Sequence, residues 1–135
     1  MNRLNGFISH IQKSGAIMLV DVEVRQQHFS VLLIESAVQP EWIALEQQVD
    51  LVFKETEVTL AKGLSGYIST RNRIPCRVLH VERGELLSRV SLQFQQDVIV
   101  SAITTRALDS LHLRTDQEVE ALVKSNEIAL MKPLL

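Results

Sequence analysis

Cysteine occurs once in the 135 residues, at Cys76. A lone thiol excludes an intramolecular disulfide and any zinc site built on cysteines. Aromatic side chains make up only 4% of the chain, too few for an extended base-stacking platform. Positive charge is not in excess either. Lys and Arg number 14 against 16 Asp and Glu, a formal net charge of −2, so the concentrated positive field of a typical nucleic-acid binder is missing. No apolar run approaches the about 20 residues of a membrane-spanning helix, and the opening MNRLNGFISH has no apolar stretch of signal-peptide length. These absences set the expectation of a cytoplasmic protein with no nucleic-acid and no membrane partner. No G-x-x-x-x-G-K-[ST] loop, carboxylate pair or Ser–His–Asp order stands out, so catalysis has no visible apparatus and the chain is expected not to be an enzyme.

What is present is a repeat. Asn2-Arg3-Leu4 aligns with Asn72-Arg73-Ile74, a register of 70 (72 − 2) that also places His10 on His80. The same offset recovers Val49 and Val119, Lys54 and Lys124, Glu57 and Glu127, and Leu60 and Leu130. One offset holding at both ends of a copy indicates duplication, with small compensating gaps expected between. The units are 1–64 and 69–135, and Gly63-Leu64-Ser65-Gly66 is the candidate linker. Apolar content of 46% and charged content of 22% are those of an ordered globular chain. Units this small barely offset chain entropy by burial, so they must share a core or be completed by a partner subunit.

Alternation identifies the elements. In the first unit, 4–11, 16–24 and 28–34 read as strands, with Val20, Val22 and Val24 inward against Asp21 and Glu23. Pro40-Glu41 opens a short helical piece with Trp42 and Leu45 on one side, and 49–53 and 57–61 are the last two strands. The second unit repeats the order: strands 74–81, 86–94 and 98–104, a helix over 105–112 with Ala107, Leu108 and Leu111 at helical spacing, then strands 118–123 and 127–131. Three strands, a short helix and two strands predict an all-β chain of two tandem OB-like five-stranded barrels, each with a short helix between strands three and four.

Three stretches carry a family resemblance. Ser69-Thr70-Arg71-Asn72 looks like the Ser-Ala-Arg-Asn that opens the molybdate-binding domain of the molbindins (Mop-type, TOBE-like domains). Ala102-Ile103-Thr104 with Leu108-Asp109-Ser110-Leu111-His112-Leu113 is similar to that family's next strand and helix, and residues 119–128 (VEALVKSNEI) resemble its last two strands. Residues 2–11 are also similar to the start of the second such domain in the molybdate-responsive transcription regulator. The resemblance implies an OB-like fold that binds molybdate, and often tungstate, between subunits of a homo-oligomer, with a trimer as the expected assembly. It implies storage or homeostasis of the oxyanion. The alternative is a ligand-sensing module acting on a transporter or a transcription regulator.

The residues so singled out suit a tetrahedral dianion, which leaves water only if several aimed donors replace its hydration. Arg71 supplies a planar fork of donors, Lys124 a second positive charge, and Ser69 and Ser125 hydroxyls. Two protein charges balance two on the ligand. Ala107 stands where the family commonly has a serine, which leaves only its backbone amide to contribute. Arg71 and Lys124 are 53 residues apart (124 − 71), and the family draws such groups from neighbouring subunits. In the first unit Lys54 is followed by Glu55, whose carboxylate repels a dianion, so the second unit is the expected site. Outside the resemblance, Arg71 and Lys124 read as solvated cations, and His10, His28, His80 and His112 as structural residues. Cys76 reads as a small buried side chain and Trp42 as packing.

Overall fold

A computed structural model describes residues 1–34 and 39–134. The chain runs through strands β1 (Asn2–Ser14), β2 (Ile17–Val24), β3 (Gln27–Ile34), β4 (Gln48–Phe53), β5 (Thr59–Ala61), β6 (Asn72–Glu82), β7 (Leu87–Phe94) and β8 (Asp97–Thr104). Helix α1 (Thr105–Leu111), β9 (Glu118–Val123) and β10 (Ala129–Met131) follow. A 3-10 turn over Glu55–Glu57 precedes β5, and another over Ser125–Glu127 precedes β10. Every strand of the second half begins 70 residues after its counterpart, from 72 − 2 to 129 − 59, so the repeat needs no compensating gap.

Alternate burial along the strands follows the sequence pattern. Val20, Val22 and Val24 are buried on β2, as are Val90, Leu92 and Phe94 on β7. Both long first strands bulge at the same place, between Ile8 and His10 in β1 and between Val78 and His80 in β6. The extra residue increases local twist and bends the strand, so its first half pairs with one neighbour and its second half with another. Gly6 sits where β1 changes partner, and a Cβ there would run into the Glu23 carbonyl.

The sheets are not the two halves of the sequence. One has the order β10-β4-β1-β2-β3 and the other β5-β9-β6-β7-β8, so each takes its fifth strand from the opposite half. Thr59↔Leu122 and Leu60↔Ala121 register β5 on β9, and Leu130↔Leu51 registers β10 on β4. The expected five-stranded barrels are therefore corrected to open sheets, each edged by a three-residue borrowed strand. The helix expected from Pro40 is also corrected. Residues 41–46 form consecutive turns, with Ile43 N–H donating to the Pro40 carbonyl and Gln47 N–H to Ala44. Glu46 has a φ of 67°, which no helix continues, and Leu45 faces solvent. Among the described residues the one α-helix is α1, started by Thr104, whose Oγ1 accepts from the Ala107 N–H at 3.1 Å, and ended at His112 in the left-handed region.

Residues of both halves contribute to one buried cluster, in which Phe29 and Phe94 meet edge to face at 6.1 Å. Two buried asparagines clasp the sheets with the same geometry. Asn2 Nδ2 donates to the Val100 carbonyl and its Oδ1 accepts from Val100 N–H, both at 2.8 Å. Seventy residues on, Asn72 does the same with Ser30, at 2.9 and 2.7 Å. The hairpin turns also meet, as Arg25 pairs with Asp97 at 2.8 Å. Cys76 is buried and its thiol is pushed up to about 12 by desolvation, which leaves it inert. No described helix is long and apolar enough to cross a membrane.

Because each half completes the other, the sheets cannot unfold separately. Leu92→Ala, which opens a cavity in the second sheet, is expected to destabilise the protein by about 2–5 kcal/mol. Calorimetry should then show one transition moved to lower temperature, and two separated transitions would contradict the shared core.

Candidate functional site

The β6–β9 ladder ends on the pair Asn72↔Val123, and the next residues on the two sides are Arg71 and Lys124. Opposed residues of an antiparallel pair carry their side chains on one face, Cβ atoms about 5 Å apart. Asn72 and Val123 are both buried, so alternation turns Arg71 and Lys124 outward together, and both are exposed. Their 53-residue separation excludes a local turn between them, and the ladder brings them to the same end within one chain. Among the described residues neither makes a hydrogen bond or an ion pair with another side chain.

Ser125, half-buried, opens the 3-10 turn after Lys124, and Glu127 N–H closes it on the Lys124 carbonyl at 2.9 Å. This turn packs against β3 of the other sheet. Ser69 is exposed, two residues before Arg71 on the same approach. Arg71, Lys124 and Ser125 thus share one corner, with Ser69 leading into it. Ala107 does not join them. It lies in α1, beyond the end of β8, where Thr105 N–H donates to the Leu86 carbonyl and Thr105 Oγ1 to that of Gly84. That is the far end of β6 from Arg71. The amide expected of Ala107 is already donated to Thr104 Oγ1, so this residue offers no uncommitted donor.

The same corner of the first half is built differently. Met1 and Lys54 flank the ladder-end pair Asn2↔Phe53, but Glu55 takes the place of Ser125. Arg89 grips Glu55 with two bonds, Nε to Oε1 at 3.0 Å and Nη2 to Oε2 at 3.1 Å. The Arg89 hydrogen bond, against partial burial, holds the Glu55 carboxyl below its ordinary value. A carboxylate thus lies among the cations of that corner, while Lys124 is followed by a hydroxyl.

Behind the Arg71 corner, Arg73 forms a bidentate pair with Glu120 at 2.8 and 2.7 Å, the counterpart of Arg3 and Asp50 at 2.5 Å. Glu120 is lowered chiefly by its bond from Arg73. Burial opposes the charge on Asp50, but hydrogen bonds from Asn5, Arg3 and the Leu134 N–H outweigh it and lower the carboxyl. Arg73 is therefore committed to a carboxylate, which leaves Arg71 as the guanidinium of this corner. A cleft of about 710 Å³ opens beside the pair, lined by Pro75, Cys76, Arg77, Gln93 and Glu118 among others; it is mixed in charge and away from Lys124. Among the described residues no group of three or more His, Cys, Asp or Glu is placed to hold a metal ion.

The residue that sequence reasoning missed is Asn72. There it set the repeat and closed the Ser69–Asn72 stretch without being given a role, yet it is the buried neighbour of Arg71 and is bonded to the carbonyl of Val123 at 2.9 Å. A polar side chain recurring at the first inward position of both repeats was the available signal.

Residues 68–130 match the TOBE domain, a span that contains all five candidate residues. The second repeat is thus a TOBE domain, and the Mop-type, TOBE-like resemblance read from the sequence holds for it. The chain also superimposes on the crystal structure of the cytoplasmic molybdate-binding protein ModG with molybdate bound, at a TM-score of 0.92 and 24% identity. The match covers 98% of this chain and 96% of that one, so the two share a fold throughout. No curated protein sequence matches the chain.

The depressed carboxylates fix the sign of the acid response. A group lowered in the folded state stabilises it above the ordinary carboxylate value and loses that contribution as pH falls through the lowered one. Asp50→Asn should be less stable than wild type at neutral pH, and the gap should narrow below about pH 4. Melting temperatures over the acid range test this; a gap constant with pH would contradict it.

Proposed function

We propose, on the premise of a TOBE domain in the second repeat and the fold of a molybdate-binding protein, that this chain binds molybdate at the corner formed by Arg71, Lys124 and Ser125. The observation that carries the reading is the placing of two outward cations at the end of one ladder, beside a hydroxyl, with no carboxylate bonded to either among the described residues. Arg71 would present parallel N–H donors to two oxygens of the tetrahedron and Lys124 a point charge to a third. Ser125, in the turn after Lys124, would donate its hydroxyl, and Ser69 lies close enough in sequence to join from the approach to β6. Two positive charges against a dianion give the local balance that partial desolvation requires.

The corner is open on its outer side, so its donors cover only part of a tetrahedral anion. A second copy of the chain would close it, which supports a homo-oligomer with sites between subunits and a trimer as the working assembly. Tungstate, of the same shape and charge, would bind as well, while smaller sulfate would leave the spaced donors short of contact. The role we propose is to hold the anion: storage or homeostasis in the cytoplasm, without chemistry, nucleic acid or membrane.

Hydrogen bonds to a charged group contribute about 1.5–3 kcal/mol, so Arg71→Ala should weaken molybdate binding about 10- to 100-fold, measured by titration calorimetry, with the melting temperature of the free protein unchanged. Unaltered affinity would remove the site. Native mass spectrometry with and without molybdate should show anions bound to an oligomer, and a monomer that binds as tightly would refute closure by a second copy.

A further inference from the structure

We infer that Asn72 is a positioning residue for the oxyanion site: it touches no ligand but fixes the spacing of Arg71 and Lys124 from beneath. The inference rests on the reading that these two residues hold the anion. It explains a difference between two otherwise matched asparagines.

Asn2 and Asn72 each clasp an edge strand of the opposite sheet through one donor and one acceptor. Asn72 makes a third bond, from Nδ2 to the Val123 carbonyl at 2.9 Å. Asn2 has no such bond to Phe53 among the described residues. Every hydrogen-bonding group of the Asn72 amide is therefore engaged, at 1% exposure. The third bond occurs only in the half of the chain where an arginine and a lysine flank the ladder end.

The physical reason lies in the balance of flanking charges. The Met1 ammonium and Lys54 flank the first ladder end too, but Glu55 pairs with that ammonium at 3.4 Å, whereas among the described residues no carboxylate is bonded to Arg71 or Lys124. Arg71 precedes Asn72 and Lys124 follows Val123, so both cations extend from the backbone that this one side chain ties together. Like charges side by side repel, and the end of a ladder is where a sheet frays most readily. Without the tie, repulsion would spread the ends and separate the cations until a ligand arrived to draw them in. With it, repulsion is already opposed by the fold, and the anion meets a preformed spacing. The clasp on Ser30 adds a second reference point, because it seats this corner on β3, against which the Ser125 turn also packs.

The matched asparagine supplies the control. Asn72→Ser, Asn2→Ser and Arg71→Ala are compared by molybdate titration calorimetry, and by melting of each ligand-free protein. Both serine variants lose one clasp between sheets and should melt at lowered temperatures, Asn72→Ser somewhat lower because it also loses the bond to Val123. Asn72→Ser should bind molybdate about tenfold or more weakly, the range seen when groups supporting a ligating residue are removed, while Asn2→Ser binds as wild type. If Asn72→Ser does not fold, Asn72→Thr, whose branched side chain suits a strand and refills part of the volume, is measured in its place with Asn2→Thr as control. Wild-type affinity in the Asn72 variant alongside weak binding by Arg71→Ala would overturn the positioning role and leave the site. Equal weakening in the Asn2 and Asn72 variants would assign the effect to general loosening and overturn it too. Undiminished binding by Arg71→Ala would sink the site, and the inference with it.

Discussion

Strands β5 and β10 each complete the sheet of the other half of the chain, and this exchange constrains everything else in the molecule. Units of this length bury barely enough apolar surface to fold alone. Exchange removes the difficulty by merging two small cores into one cluster, with Phe29 and Phe94 in edge-to-face contact within it. It also fixes where each 3-10 turn must lie. To reach the opposite sheet the chain has to leave β4 or β9, turn at once, and cross over the other half's third strand. The turn after Lys124 therefore rests on β3, and the turn after Lys54 on β8.

From that crossing the corner follows. The residue that ends β9 and the residue that begins β6 are ladder partners, so whatever precedes Asn72 and follows Val123 is brought together at the surface. In the second half these are Arg71 and Lys124; in the first they are Met1 and Lys54, with Glu55 held by Arg89 beside them. One backbone frame thus carries two different electrostatic surfaces. The Glu55 carboxylate stands in the first half where the second half has the Ser125 hydroxyl.

Much of this was legible in the residues. Alternation in Val20, Val22 and Val24 located β2, the repeated order of elements located the strands of the second half, and Ala107, Leu108 and Leu111 at helical spacing marked α1. The five candidate residues all fall in the TOBE match. The exchange was not legible, because a three-residue edge strand such as Thr59–Ala61 pairs equally well with β4 or β9 as far as its side chains tell. The turns near Trp42 imitate a helix start through Pro40, but Glu46 in the left-handed region stops what propensity would continue. The position of Ala107 was not legible either: spacing along a chain says nothing about which end of a strand a helix abuts, or whether an amide is already spent on a cap.

The central claim is that Arg71 and Lys124 share one bound dianion. Crystals grown with molybdate and measured at the molybdenum absorption edge would locate the metal directly. The account predicts an anomalous peak at this corner, with oxygens within hydrogen-bonding distance of the Arg71 guanidinium and Lys124 Nζ. A peak confined to the Glu55–Arg89 corner or to the cleft beside Cys76, with the Arg71 corner empty, would contradict it.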